Sequence, residues 1–156
     1  MIKNNVTRLL DARKIPYSAY VLPAEKLGAE ETARLLEVPI EHVYKTIVLS
    51  REKTGKPILA LVAGDHEVDL KLAAQAVDEK KLRLPTEREA EQITGLQAGG
   101  ISPLALMNKG FQVLIDLTAL DLKDIHISGG QRGLNIRLPV QDLAKLVNAR
   151  FVKLSQ

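Results

Sequence analysis

The chain has 156 residues, with 22 lysines and arginines against 19 aspartates and glutamates, and so a formal charge of +3. That is one domain's worth of chain, able to bury about 68–70% of its unfolded surface, and its 46% hydrophobic and 26% charged residues exclude global disorder. The absence of cysteine excludes disulfides, zinc–thiolate centres, iron–sulfur clusters and a cysteine nucleophile, while 3% aromatics leaves too few rings for several stacking platforms on nucleic acid.

In chain order, Val6, Leu9 and Leu10 stand at helical spacing behind an asparagine cap, predicting a helix over 4–14 that Pro16 stops. Residues 17–21 read as a strand ended by Pro23, and 28–37 as a second amphipathic helix closed by Pro39. Two apolar, β-branched runs, 44–50 and 57–63, flank the polar, Gly55-containing stretch 51–56 and predict a hairpin. A helix follows over 69–77, then a short strand at 82–84. Thr86 and Glu89 spell a capping box at the head of a helix over 86–93.

A glycine-rich loop over 95–100 leads to Ile101-Ser-Pro-Leu104, and 112–115 is another strand. Strands at 124–128 and 134–138 flank a second glycine-rich bend, Gly129-Gly-Gln-Arg-Gly133. Pro139 is placed to start a helix over 140–147, and 151–154 adds an edge strand. The sum predicts one α+β domain over 1–156, with six or seven strands and four or five helices. The longest unbroken apolar run, 58–63, is far short of the ~18 residues that cross a bilayer. Residues 1–8 lack the apolar stretch of a secretory signal, so a cytoplasmic location is expected.

Familiar chemistries find little support. His42, His66 and His126 are isolated from one another, and no H-x-x-x-H spacing occurs. Asp65-His-Glu67 reads most simply as a polar turn, and His126, between Ile125 and Ile127, as a residue on the wet face of a strand. Ser102 lacks the second glycine of a nucleophile elbow. Neither glycine cluster is a nucleotide fingerprint. Both can be tight turns, or a cradle whose N–H groups donate to a carboxyl, phosphate or oxyanion. Lys45 heads an apolar strand, sharing a face with Ile47 and Leu49. Two fates are open to it: snorkelling into solvent, or aiming a cation at a substrate oxygen.

Three segments together resemble the YbaK/EbsC family of bacterial aminoacyl-tRNA deacylases: Val43-Tyr-Lys-Thr-Ile-Val48, Gly99-Gly-Ile-Ser-Pro-Leu104 and Ile127-Ser-Gly-Gly-Gln-Arg-Gly-Leu134. The same fold serves as the editing domain of bacterial prolyl-tRNA synthetases. The resemblance implies an α+β fold with a mixed sheet or partly closed barrel around a pocket, and hydrolysis of the ester joining an amino acid to tRNA. It implies that Lys45 is essential and positions the ester, with Tyr20, Thr46, Gly100, Ser102, Ser128, Gly129, Gly130 and Asn135 on the substrate side. It implies no metal and no organic cofactor.

Two departures bear on the substrate: Leu27 precedes Gly28 where a pocket phenylalanine is expected, and Asn135 stands where relatives carry aspartate. The favoured expectation is a trans-editing hydrolase of mischarged tRNA, Cys-tRNA(Pro) foremost and Cys-tRNA(Cys) next, with prolyl-tRNA synthetase as a partner. The alternatives are an Ala-tRNA(Pro) deacylase, a general small-ester hydrolase and a non-catalytic aminoacyl-tRNA or nucleotide-binding module. Arg51, Lys53, Lys56, Lys80, Lys81 and Arg83 are candidates for phosphate contacts.

Overall fold

The computed structural model describes residues 2–156. Five α-helices are seen: α1 (Asn5–Ala12), α2 (Ala29–Leu36), α3 (Leu70–Ala76), α4 (Glu87–Thr94) and α5 (Val140–Val147). Local chemistry sets their ends. Asn4 and Thr86 each close a capping box, the second with Glu89 as the sequence predicts. Asp69 caps α3 through Lys71 and Leu72 N–H groups, and α2 and α5 stop at Glu37 and Asn148 in the left-handed conformation.

Eight strands are seen among the described residues: β1 (Ser18–Val21), β2 (Tyr44–Arg51), β3 (Ile58–Ala63), β4 (Leu82–Arg83), β5 (Gln112–Asp116), β6 (Asp124–Ser128), β7 (Leu134–Pro139) and β8 (Arg150–Val152). They form two sheets, of order β1-β7-β6 and β4-β2-β3-β5-β8. The expectation of a partly closed barrel is thereby corrected: the strands divide into sheets of three and five, joined by a single bridge from Val43 to His126. The strand count is also higher than the six or seven expected.

The hairpin read from residues 44–63 is present, with Lys45 opposite Val62 and Thr46 opposite Leu61. β3 lies mid-sheet, antiparallel to β2 and parallel to β5, and all six of its residues are buried. A strand covered on both faces needs such an unbroken apolar run. β8 pairs with β5 at the far edge.

The pleat of the larger sheet separates two cores. Tyr44, Val48, Leu59 and Leu61 pack with Ile125, Ile127, Ile136 and the apolar face of α1. Leu49, Ile58, Ala60 and Val62 turn the other way, onto Ala73 and Ala74 of α3. Each buried aliphatic side chain contributes about 1.5–3 kcal/mol of transfer free energy. Lys45 takes the α3-facing side of β2, where Ile47 is partly buried and Leu49 fully so. Thr46 takes the other side. This pleat places adjacent residues of one strand on two walls.

Candidate active site

A cavity of about 370 Å³ opens along β2, lined by Leu22, Glu25, residues 27–29, the start of α4, the bend at Ala98–Gly99 and the β6–β7 bend. Its wall brings together Lys45, Thr46, Gly99, Ser128, Gly133 and Asn135, residues that lie up to 90 positions apart in the chain. Leu27 and Gly28 also line it.

The two glycine bends are packed against each other. Arg132 Nε donates to Ala98 O at 2.7 Å, and Ser128 Oγ donates to Gly99 O at 3.3 Å. A Cβ on Gly100 would lie 2.9 Å from Gln131 Cα, so the backbones approach too closely for any side chain there. Asn4 Nδ2 donates to Gly129 O at 2.9 Å, tying the head of α1 to the same bend.

Which amides are free differs from the sequence expectation of bare glycine N–H donors. Gly100 N donates to Gln97 O and Gly129 N to Leu134 O, both at 2.8 Å, and Gly130 N reaches Ser128 Oγ at 3.3 Å. These three groups build the bends. Gly99 and Gly133, at φ +89° and +87°, line the cavity instead, and their N–H groups have no hydrogen-bond partner among the described residues. The residue before Gly100 and the third glycine of the second bend are the ones sequence reasoning passed over. Their signal was the glycine density itself.

Lys45 keeps 23% of its side chain exposed, and its Nζ lies 3.3 Å from Glu67 Oε1. Lys45 lines the cavity, whereas Glu67 does not. Thr46 has the converse character: Oγ1 is buried and has no hydrogen-bond partner among the described residues. Asn135 is 5% exposed and accepts from His126 across 2.8 Å.

Other predicted positions lie off the cavity wall. Tyr20 packs its ring on His126, centroids 5.5 Å apart. Ser102 is fully buried, its Oγ accepting from Leu104 N at 3.2 Å in a local turn. Gly129 and Gly130 lie behind the bend, against Leu134 and against Val6 and Ala105 respectively. His126, read as a wet-face residue, is 4% exposed because Tyr20 covers its ring and Asn135 bonds it on the face opposite Ile125 and Ile127.

Of the basic candidates, Arg51 is spoken for. It donates to Lys56 O, to Glu79 at 2.6 Å and to Gln112 at 2.7 Å, so its charge is compensated inside the fold. Arg83 forks onto Glu89. Lys53, Lys56, Lys80 and Lys81 remain exposed. At the 65–67 turn, His66 Nδ1 meets Ser155 Oγ at 2.8 Å, and no group of three or more metal-ligating side chains occurs among the described residues. No helix among the described residues is long and apolar enough to cross a membrane.

The cavity is lined by a lysine, by two glycines whose N–H groups are unpaired among the described residues, and by a neutral amide, with no histidine in its lining. Such a wall can hold an activated ester and stabilise negative charge on its oxygen. The fold is that of an editing domain. The model of the aminoacyl-tRNA editing domain matches residues 24–146, and the chain belongs to that family, as the three sequence motifs imply.

Among its relatives, EbsC of Enterococcus faecalis, a proposed Cys-tRNA(Pro)/Cys-tRNA(Cys) deacylase, is 32% identical over 155 residues, covering 98% of this chain and 93% of that one. The proline–tRNA ligase of Aromatoleum aromaticum is 31% identical over 76% of this chain, which spans only 24% of the ligase. A solved structure described as a proposed trans-editing enzyme for prolyl-tRNA synthetase superposes with TM-score 0.81 at 25% identity, covering 100% of this chain and 99% of that one. The crystal structure of a hypothetical protein superposes more closely, TM-score 0.89 at 20% identity over 98% of this chain and all of the other, and shares the fold.

Proposed function

We propose that this chain is a trans-editing hydrolase that clears mischarged tRNA by cleaving the aminoacyl ester, with Cys-tRNA(Pro) as the leading substrate and Cys-tRNA(Cys) the next. The observation that carries the reading is that Lys45, Gly99 and Gly133, distant in sequence, line one cavity. The near full-length similarity to EbsC supports the choice of substrate.

In this reading the cavity holds the aminoacyl group, and the terminal adenosine sits at its mouth. Lys45 holds the ester by one oxygen, and the Gly99 and Gly133 N–H groups face the charge that develops on the carbonyl oxygen. One such donor is worth ~10²–10³ in rate. For a cysteinyl ester, the substrate's own sulfur attacks its carbonyl carbon. A carbon–sulfur bond forms, the carbon–oxygen ester bond breaks, and the thiol proton ends on the departing ribose oxygen. An alanyl ester has no thiol, so its removal needs water or the ribose 2′-hydroxyl as nucleophile.

The chain acts as one domain over 1–156, in the cytoplasm, without metal or organic cofactor. Tyr20, Ser102, Gly100, Gly129 and Gly130 serve this site indirectly, through packing and bend geometry, while Thr46, Ser128 and Asn135 meet the substrate. With so modest a net charge, tRNA choice is shared with prolyl-tRNA synthetase.

A deacylation panel over Cys-tRNA(Pro), Ala-tRNA(Pro) and Cys-tRNA(Cys), with Lys45→Ala as control and EDTA as a separate arm, tests the proposal. Cysteinyl turnover that is lost in the variant and indifferent to EDTA is the expected result. Preferential release of alanine would reassign the substrate. Equal cleavage of aminoacyl esters lacking tRNA would indicate a general small-ester hydrolase, and saturable binding with no hydrolysis a non-catalytic module.

A further inference from the structure

Behind the cavity wall, His126 and Asn135 form a buried pair. They lie on neighbouring strands, β6 and β7, where Ser128 is the cross-strand partner of Asn135 and Arg137 that of His126. His126 Nδ1 and Asn135 Oδ1 are 2.8 Å apart, and both residues are about 95% buried, at 4% and 5% exposure. Asn135 lines the cavity and His126 does not. Tyr20, opposite Asn135 on β1, covers the imidazole with its ring at 5.5 Å.

An amide oxygen only accepts, so this contact requires a proton on Nδ1. The amide then has its NH2 group left over. Asn135 Nδ2 makes no hydrogen bond to any described residue, and it is not among the buried polar atoms left without a partner, so it keeps accessible surface on a residue that lines the cavity. Removal from water pushes the imidazole below its usual value, against the hydrogen bond it donates to Asn135; Arg137 and His42 add to the lowering and Asp124 opposes it. A neutral ring has one proton for two nitrogens, and fixing it on Nδ1 fixes the amide.

We propose that His126 is a positioning residue: it holds Asn135 with its N–H groups turned into the cavity, so that the chain offers a neutral donor to an oxygen of the bound aminoacyl ester. This deepens the deacylase reading and rests on it for the identity of the ligand. A carboxylate at position 135 would present only acceptors there. The pair therefore exchanges an acceptor suited to a substrate ammonium for a donor suited to a carbonyl or ribose oxygen.

The tautomer is read without substrate, by long-range 1H–15N NMR of the labelled chain near neutral pH. The expected spectrum has a protonated Nδ1 and a bare Nε2 for His126. A protonated Nε2 with a bare Nδ1 would turn the amide round and overturn the proposal, whatever the enzyme's substrate. Kinetics give the second arm. His126→Asn keeps a donor near the Nδ1 position and should hold kcat within about threefold, whereas His126→Leu should lower kcat by about tenfold or more with KM little changed. Equal kcat in the two variants overturns the positioning role. If no aminoacyl-tRNA is turned over by the parent chain, the deacylase reading fails while the tautomer result stands.

Discussion

Lys45 and Glu67 form an unequal pair: their charged ends are 3.3 Å apart, but the lysine side chain is 23% exposed and the glutamate 92%. A carboxylate so fully in water holds its partner weakly, because solvent screens the attraction. Glu67 therefore restrains the ammonium only lightly, and in the proposed reading the lysine turns to a substrate oxygen at little cost.

Replacing the two partners separates these roles. Lys45→Ala should lower kcat/KM for deacylation by about 10²–10³, the scale of one lost oxyanion donor, with the thermal midpoint nearly unchanged. Glu67→Gln should leave kcat/KM within about threefold and weaken its dependence on salt. Steady-state kinetics at two ionic strengths check both. Loss of activity in the glutamine variant matching that in the alanine variant would make Glu67 part of the chemistry.

Gly129 is required by volume. A Cβ there would sit 2.5 Å from Leu134 Cγ and 2.7 Å from Cδ2, both in a buried residue at the foot of β7. Gly129→Ala should destabilise the fold by about 1–3 kcal/mol through overpacking and displace the bend carrying Ser128 and Gly133. Urea unfolding measures the first effect. A stable variant with unaltered midpoint would show that the bend gives way freely.

Much of this architecture was legible because the signals are local. The β2–β3 hairpin follows from two apolar runs around a polar glycine stretch, and the α4 start from Thr86 and Glu89, three residues apart. What escaped depends on partners distant in sequence. Arg51 looks like solvated surface until Glu79 and Gln112, 28 and 61 residues away, close on it. His126 follows a period-two pattern that ordinarily means one wet face. Here the second face is covered by Tyr20 and satisfied by Asn135. The site motifs announced Lys45 and the glycines, but which amides stay free depends on how each bend hydrogen-bonds to itself. The division into two sheets rests on pairings that strand periodicity does not specify.

Acid should weaken the start of α4. The Arg83 guanidinium, and then the Thr86 N–H and hydroxyl, hold the Glu89 carboxyl down from the usual 4.5 to about 2. A carboxyl depressed by folding stabilises the native state above its unfolded value, and that contribution is lost as pH falls from 4.5 through about 2. Glu89→Gln should therefore flatten the pH dependence of stability inside this window and leave its slope above it unchanged. Denaturant midpoints measured across the window decide the matter: parallel curves for parent and variant would assign the acid sensitivity to other carboxylates.

Thr46 carries a cost that folding alone does not explain. Its Oγ1 is buried without a partner in the cavity wall, and an unsatisfied buried hydroxyl costs about 1–3 kcal/mol. Valine has nearly the same shape and no polar atom, so Thr46→Val should leave the unfolding midpoint unchanged or raise it. If the hydroxyl serves to bond the bound aminoacyl ester, the same variant should lose about tenfold in kcat/KM, as expected for one hydrogen bond of ~1.4 kcal/mol. Stability and activity then move in opposite directions, the mark of a polar group retained for a ligand. A valine variant that is less stable and fully active would show instead that Thr46 serves the packing of β2 against Leu61.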